Sequence, residues 1–374
     1  MFETLCSCHD VKWIGYKDLS IPLRILIKIQ PFLDRILNIR RGYPYFNKRL
    51  AILKAKGLKR KLSAGNFDII VSPNSPDLIA FLETSLPIVY IRDCTFQLFI
   101  NYYPTFSNLN EKALSEGSEI ERRAIENAWR VVYSSEWAAK SAVNFYGADA
   151  GKVSIINFGA NLPEQQRFLT ARPDDSVCHL IFIGIDWKRK GGEIAFKTFQ
   201  KLKSYGIKCR LTVVGCDANI DDREDVEIVP YLDKTNPVEL RRLIDIYSKS
   251  HFLLLPTVAD CTPIVFSEAA AFGIPVLTTD TGGNASVIRD GVNGFIFRAG
   301  SSEADYADRI RAVFTDKSLY NQLRQSCRNE FNTRLSWNVW LSQLNSLIKE
   351  VKNSDCNADD SVSLTEDKEN VMNG

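Results

Sequence analysis

Asp260 and Glu268, two carboxylates with seven residues between them, are the pair in this sequence best placed to do chemistry. Ahead of Asp260 runs HFLLLP at 251–256, a continuous apolar stretch of strand length; after it, the small and apolar residues of 263–272 read as a helix. Asp260 then falls in the loop, and Glu268 about one turn into the helix. The first amides of such a helix, near Ile264 and Val265, have no intrahelical partner and point outward, which makes an anion site suited to a diphosphate. Pro263 has no N–H to leave unpaired, as befits a first turn. A carboxylate at Glu268 could accept hydrogen bonds from ribose hydroxyls. The same pattern also admits a structural reading, with Asp260 capping the helix and Glu268 solvated on its face.

A second cluster lies at 182–192 (FIGIDWKRKGG), where Lys188, Arg189 and Lys190 sit on a turn between a strand and a helix. Fixed cations there can stabilise a departing diphosphate without a metal; alternatively they form a solvated basic turn. In YIRDCTF, Arg92 and Asp93 end a strand, where Asp93 either faces a ligand or caps the next segment of chain. Asp221 and Asp222 lie in a polar connection and read as solvated, and no D-x-D-like pair marks a metal loop, so no metal is expected. Cys6 and Cys8 followed by His9 lack zinc-ligand spacing, and nine scattered cysteines read as reduced thiols of a cytosolic chain.

The elements that would position these residues follow from the apolar runs. Strands are expected at 179–184, 210–215, 226–229, 251–256, 274–278 and 295–297, with helices at 192–205, 237–248 and 263–272. Continuous apolar strands separated by helices predict a parallel sheet covered on both faces, a doubly wound, Rossmann-like α/β domain. The first half predicts a similar domain, with strands at 11–15, 68–72, 88–92, 130–134 and 153–157 and helices at 20–39, 48–62 and 118–128. The expected organisation is a first domain over 1–160, a linker at 161–175, a second domain over 176–335, a helix at 336–351 that packs back toward the first domain, and a disordered acidic tail at 352–374.

The stretch DCTPIVFSEAAAFGIPVLTTDTGGNASVIRDGVNGFIF resembles the signature of the retaining glycosyltransferases of family 4. The matching pieces are Asp260 and Glu268, the small residues Ala269–Ala271, G-x-P-V at 273–276, Gly282–Gly283 and Asn293–Gly294. Milder resemblance extends over 68–341. It implies the GT-B fold, two Rossmann-like doubly wound domains facing across a cleft, with no cofactor beyond the nucleotide-diphosphate-sugar. By position it implies that Glu268 contacts the nucleotide ribose and that Asp260 acts toward the sugar. Gly184 and Lys190, with the amides of Thr262, Ile264 and Val265, would hold the diphosphate. The resemblance makes Asp260, Lys190, Arg189 and Asp93 the catalytic set, and places an Arg where this chain has Ile185. Donor specificity would lie near 230–232. The implied activity is transfer of a sugar to a glycan or lipid-linked acceptor; a non-catalytic GT-B scaffold, or a sugar-nucleotide epimerase or phosphorylase, are the competing readings.

The family pattern begins with a strand and a Gly-rich turn, whereas this chain opens on a helix-like MFETLCS, so a missing first element is expected. Between Lys12 and Lys61, fourteen Lys and Arg face only Asp18 and Asp34. A basic amphipathic helix at 20–39, kinked at Pro31, followed by the cations of 48–61 would suit an anionic membrane surface, making the chain a peripheral protein on the cytoplasmic side; alternatively it is a core helix with a solvated basic face. No aromatic residue interleaves the cations of 48–61 as a stacking platform, so nucleic acid is not expected. No run reaches the roughly 18 to 20 apolar residues of a membrane span, and the N-terminus lacks the flank and core of a secretory signal.

Overall fold

The strand FLLL, four apolar residues buried on both faces, lies near the middle of a six-stranded parallel sheet. The computed structural model describes residues 1–15, 29, 47–163, 176–218, 220 and 224–350. In chain order the strands are β1 (Ile70–Pro73), β2 (Ile88–Arg92), β3 (Arg130–Tyr133), β4 (Val153–Ile155), β5 (Cys178–Ile183), β6 (Cys209–Val214), β7 (Val226–Val229), β8 (Phe252–Leu255), β9 (Val276–Thr279) and β10 (Gly294–Phe297). β1 to β4 follow one another in one sheet, and the second has the order β10-β9-β8-β5-β6-β7. The described residues fall into two compact units, one from those within 1–91, 110–132 and 340–350, the other from those within 92–109 and 133–339.

In the second unit the chain runs outward from β5 to β6 and β7, then returns to lay β8 on the other side of β5. β9 and β10 continue away from β8. The strand order therefore reverses between β5 and β8, and ligands bind outside the C-terminal strand ends at such a switch point. The loops leaving β5 and β8 are 184–191 and 256–263, the two stretches that carry the candidate chemistry. Helices Gly192–Ser204, Pro237–Lys249 and Ile264–Ala271 bury their apolar residues in the core around this sheet. Removing such surface from water is the main favourable contribution to the fold.

In the first unit β1 and β2 are parallel, with Ile70 opposite Ile88. The helix Lys48–Leu62 starts at Asn47, whose side chain accepts the Leu50 N–H at 3.0 Å. Its inner face includes Lys54, buried with Asp77 in an ion pair of 2.5 Å. Lys48 and Lys59 pair with Glu119 and Glu83, each at 2.8 Å. The expected polybasic face is thus smaller within 48–61: Arg49, Lys56, Arg60 and Lys61 remain on its exposed side, and Lys54 belongs to the interior. The basic helix expected at 20–39, most of the linker, Asp221 with Asp222, and the tail lie outside the described residues. The C-terminal residues 337–350 are helical, and Glu350 pairs with Arg130 at 2.8 Å.

One expected strand does not form. Residues 11–15 are not in a sheet, and Trp13 is 62% exposed, with its ring edge-to-face on Phe2 at 5.6 Å. An apolar alternation becomes a strand only where a neighbouring edge accepts its backbone hydrogen bonds. The opening residues Phe2–Cys6 are helical as expected, and the helix expected at 118–128 starts earlier, as Glu111–Asn127.

Candidate functional site

The loop after β5 is folded by its own acid: the Asp186 carboxylate accepts the Arg189 N–H at 3.0 Å and lies 3.4 Å from the Arg189 Nε. This turn brings Lys190 back over Gly184, where an added Cβ would stand 2.8 Å from the Lys190 Cγ. Glycine at 184 therefore leaves the room through which the lysine stem passes. The loop after β8 is stitched to the same turn. Val258 N–H and the Thr257 hydroxyl both donate to the Arg189 carbonyl, at 2.9 and 3.1 Å, and the Arg189 guanidinium donates to the Ala259 carbonyl at 2.8 Å.

Asp260 closes the arrangement. Its carboxylate accepts a hydrogen bond from the Lys190 ammonium and lies 3.9 Å from Arg189 Nη1. The Asp260 and Lys190 side chains are each only 12% exposed, so this pair is largely shielded from solvent. Two tyrosines from 92–109 hold the backbone beneath it. The Tyr102 hydroxyl accepts the Asp260 N–H at 2.9 Å and donates to the Asp260 carbonyl at 3.0 Å, while the Tyr103 hydroxyl accepts the Cys261 N–H at 3.0 Å. Gly282, left-handed at φ 53°, backs onto the Asp260 carbonyl where a side chain would collide. The Arg189 guanidinium stacks on the Tyr103 ring at 5.4 Å.

Asp93 belongs to the same electrostatic neighbourhood. Burial pushes its carboxyl above the ordinary range, the Arg92 charge opposes this, and the negative charge of Asp260 adds to it. Thr262 exchanges a hydroxyl hydrogen bond of 2.6 Å with Ser134. Pro263 is the N-cap of Ile264–Ala271, and the first amide bonded back is that of Phe266, to the Pro263 carbonyl at 3.1 Å. The Ile264 and Val265 amides precede it, at positions where no intrahelical acceptor exists. The capping role for Asp260 is thereby excluded.

Glu268 is not a solvated helix residue: it is 0% exposed. The Tyr247 hydroxyl donates to its Oε2 at 2.9 Å, and the Lys234 ammonium donates to its Oε1. Burial and the nearby Glu268 charge push the Tyr247 phenol well up, so it stays a donor. Ile185, where the family pattern has Arg, is 71% exposed.

Residues 171–330 match the sequence profile of the family described as Glycosyl transferases group 1. A D-inositol 3-phosphate glycosyltransferase of Nocardia farcinica is 26% identical over 246 residues, covering 59% of this chain and 54% of that protein. A capsular polysaccharide biosynthesis glycosyltransferase of Staphylococcus aureus is 23% identical over 253 residues, covering 62% and 65%. Among solved structures, a sucrose-phosphate synthase from Thermosynechococcus elongatus superposes with a TM-score of 0.64 at 15% identity, covering 82% of this chain and 79% of that one. Anabaena HepE in complex with UDP gives a TM-score of 0.60 at 15% identity, covering 81% and 83%. Over residues 171–330 the chain is thus similar to the group 1 glycosyltransferases. It spans about half to two thirds of the length of these curated relatives, and the structural likeness establishes the GT-B fold, with two Rossmann-like parallel sheets.

In this chain Gly184, Arg189, Lys190 and Asp260 come together at the switch point, and Asp93 lies within electrostatic range of them. Glu268 stands apart from that cluster, tied to the turn after β7. Sequence reasoning missed Tyr102, Tyr103, Ser134, Lys234 and Tyr247. The Tyr102–Tyr103 doublet in a loop was the available signal, since buried phenols seek partners. Lys234 lies two residues beyond the 230–232 segment singled out for specificity. A separate cavity of about 570 Å³ opens by His179, Arg210 and Arg242, near the N-terminal strand ends. There Arg242 pairs with Glu227 at 3.2 Å and Arg210 with Asp225 at 3.8 Å, so its cations face their own acids.

Proposed function

We propose that this glycosyltransferase moves a sugar from a nucleotide-diphosphate-sugar to a glycan or lipid-linked acceptor, with retention at the anomeric carbon and without a metal. The observation that carries the reading is the convergence of Lys190, Arg189 and Asp260 at the switch point, beside the amides of Ile264 and Val265. In this scheme the bond from the anomeric carbon to the diphosphate oxygen breaks while the acceptor oxygen bonds to the same face. The acceptor proton passes to the departing diphosphate. Lys190 and Arg189 offset the charge that develops there, a preorganised contribution that costs no reorganisation during the step. Gly184 and the Thr262, Ile264 and Val265 amides flank the diphosphate, Glu268 takes the ribose, and Asp260 and Asp93 face the sugar or acceptor.

The donor would be held by residues 176–335 and the acceptor by 1–160, with no further cofactor. UDP, present in the HepE complex, is the first donor nucleotide to try. Among the described residues no helix is long and apolar enough to cross a membrane. A peripheral, cytoplasmic placement on an anionic surface through 20–61 is part of the proposal, motivated by the charge of that stretch. The exposed Ile185 favours a second reading, a GT-B scaffold that binds a nucleotide or partner without turnover.

Labelled nucleotide-sugars supplied with membranes separate the two. The proposal expects transfer of one sugar, abolished by Lys190→Ala, with the donor's anomeric configuration kept in the product by NMR. Nucleotide binding with no transfer to any membrane preparation would establish the scaffold instead.

A further inference from the structure

Arg334 closes the helix Lys317–Thr333, and its guanidinium has a partner for every N–H it carries. Nε and Nη2 donate to Glu330 Oε2 at 2.8 and 2.6 Å, and Nη2 also donates to the Val287 carbonyl at 2.7 Å. Nη1 donates to Asn157 Oδ1 at 2.8 Å and to the Ser286 carbonyl at 2.6 Å. The side chain is 15% exposed and that of Glu330 7%. Arg289 occupies the other carboxylate oxygen of Glu330, at 3.0 Å.

Two routes lead from this guanidinium to residues 260–262. In the first, the bond to Asn157 Oδ1 orients the Asn157 amide, whose Nδ2 donates to the Ser134 carbonyl at 2.8 Å and to the Ser286 carbonyl at 3.2 Å. Ser134 shares its hydroxyl hydrogen bond with Thr262. In the second, Arg334 binds the last carbonyls of the short helix Asn284–Val287, where a cation is favourable. The Ser286 hydroxyl of this helix also accepts the Glu136 N–H at 2.9 Å. The Gly282–Gly283 turn that opens the helix lies so close to the Asp260 and Cys261 carbonyls that a Cβ at either glycine would collide with them. A shift of the helix therefore moves the surface on which 260–262 rests.

The ion pair with Glu330, four residues back on the same helix, needs only a cation. Asn157, Ser286 and Val287 need donors aimed in several directions at once, which a planar guanidinium supplies and an ammonium on a flexible stem does not. We infer that Arg334 is a positioning residue of the donor site, which holds the loop 260–262 in the geometry that receives the diphosphate. The inference rests on the reading of that loop as part of the donor site. Arg334 itself touches no substrate.

Calorimetric titration of the full chain with uridine, guanosine and adenosine diphosphates tests it, with urea unfolding of the same samples. Arg334→Met and Arg334→Lys should both weaken the diphosphate that binds by about 10-fold, the lower end of what supporting contacts contribute around ligand sites, with stoichiometry still near one. Arg334→Lys should regain much of the stability lost in Arg334→Met without regaining affinity. An arginine of purely structural importance would instead lower the stoichiometry at unchanged Kd, or recover affinity together with stability. Asn157→Ala should also weaken binding, and its combination with Arg334→Met should lose less than the product of the two single losses, because they share a route. If Arg334→Met is poorly folded, Asn157→Ala and Ser134→Ala read the first route alone. Wild-type Kd in Arg334→Lys, or in both Asn157→Ala and Ser134→Ala, overturns the inference and leaves the donor site standing. A wild type that binds none of the three diphosphates overturns the donor-site reading and the inference with it.

Discussion

Lys190 and Asp260 lie 70 residues apart in the chain and meet in an ion pair at the point where the strand order of the second sheet reverses. Each arrives on a loop leaving a strand's C-terminal end, β5 for Lys190 and β8 for Asp260, and these strands are neighbours only because the chain doubles back between them. Neither side chain could reach the other if β6 or β7 lay between. The doubly wound order is therefore the cause of the cluster, and Gly184 and Gly282 provide the space it needs.

Removing the Lys190 ammonium should cost catalysis more than folding. A lost preorganised charge at the leaving group is worth about 100- to 1000-fold in kcat. Lys190→Met should show that loss in steady-state kinetics while far-UV circular dichroism stays that of the wild type.

The Tyr102 hydroxyl serves the N–H and carbonyl of the same residue, Asp260. Tyr102→Phe strands both in a largely buried loop, and an unmade buried hydrogen bond costs about 1–3 kcal/mol. Denaturant unfolding should report a loss in that range. A change under about 0.5 kcal/mol, within the ordinary scatter of surface substitutions, would show that the loop does not depend on this phenol.

Asp93 predicts a pH signature. Its raised folded-state value means that the fold favours the protonated carboxyl. Its favourable contribution is complete below the unfolded value of about 3.9 and is lost as pH rises through the folded value. Asp93→Asn should accordingly raise the thermal midpoint at pH 8 and leave it nearly unchanged near pH 3. Equal shifts at both pH values would contradict the assignment.

In the first unit, Lys54 and Asp77 form a buried pair with side chains 1% and 3% exposed. Lys54→Met alone should cost about 3–5 kcal/mol, because it removes one partner of a buried ion pair, whereas Lys54→Met with Asp77→Leu should recover much of that loss. Urea unfolding of the single and double variants measures the difference. Equal destabilisation in both would mean that packing, and not the charge, is at stake.

The second sheet was legible because its strands are buried on both faces, so HLIFIG and HFLLLP read as unbroken apolar runs that nothing else explains. Asp260 and the 188–190 cations were legible as loop residues at strand ends. The pairing of these two loops was not written in either, since it depends on β8 returning to β5. Residues 11–15 misled for the converse reason: VKWIG has the composition of a strand but no partner edge among the described residues. Tyr102 and Tyr103 escaped notice because their partners lie 158 residues away. The Lys234 contact with Glu268 crosses 34 residues and is fixed by the turn at Asp233.

Equilibrium binding of nucleoside diphosphates to the wild type, Lys190→Ala and Glu268→Gln addresses the donor site most directly. One diphosphate should bind the wild type with one-to-one stoichiometry. Each substitution should weaken it by about 10-fold or more, in line with the loss of a charge-assisted hydrogen bond. A wild type that binds none of the uridine, guanosine or adenosine diphosphates, or variants that bind as tightly as the wild type, would contradict the account.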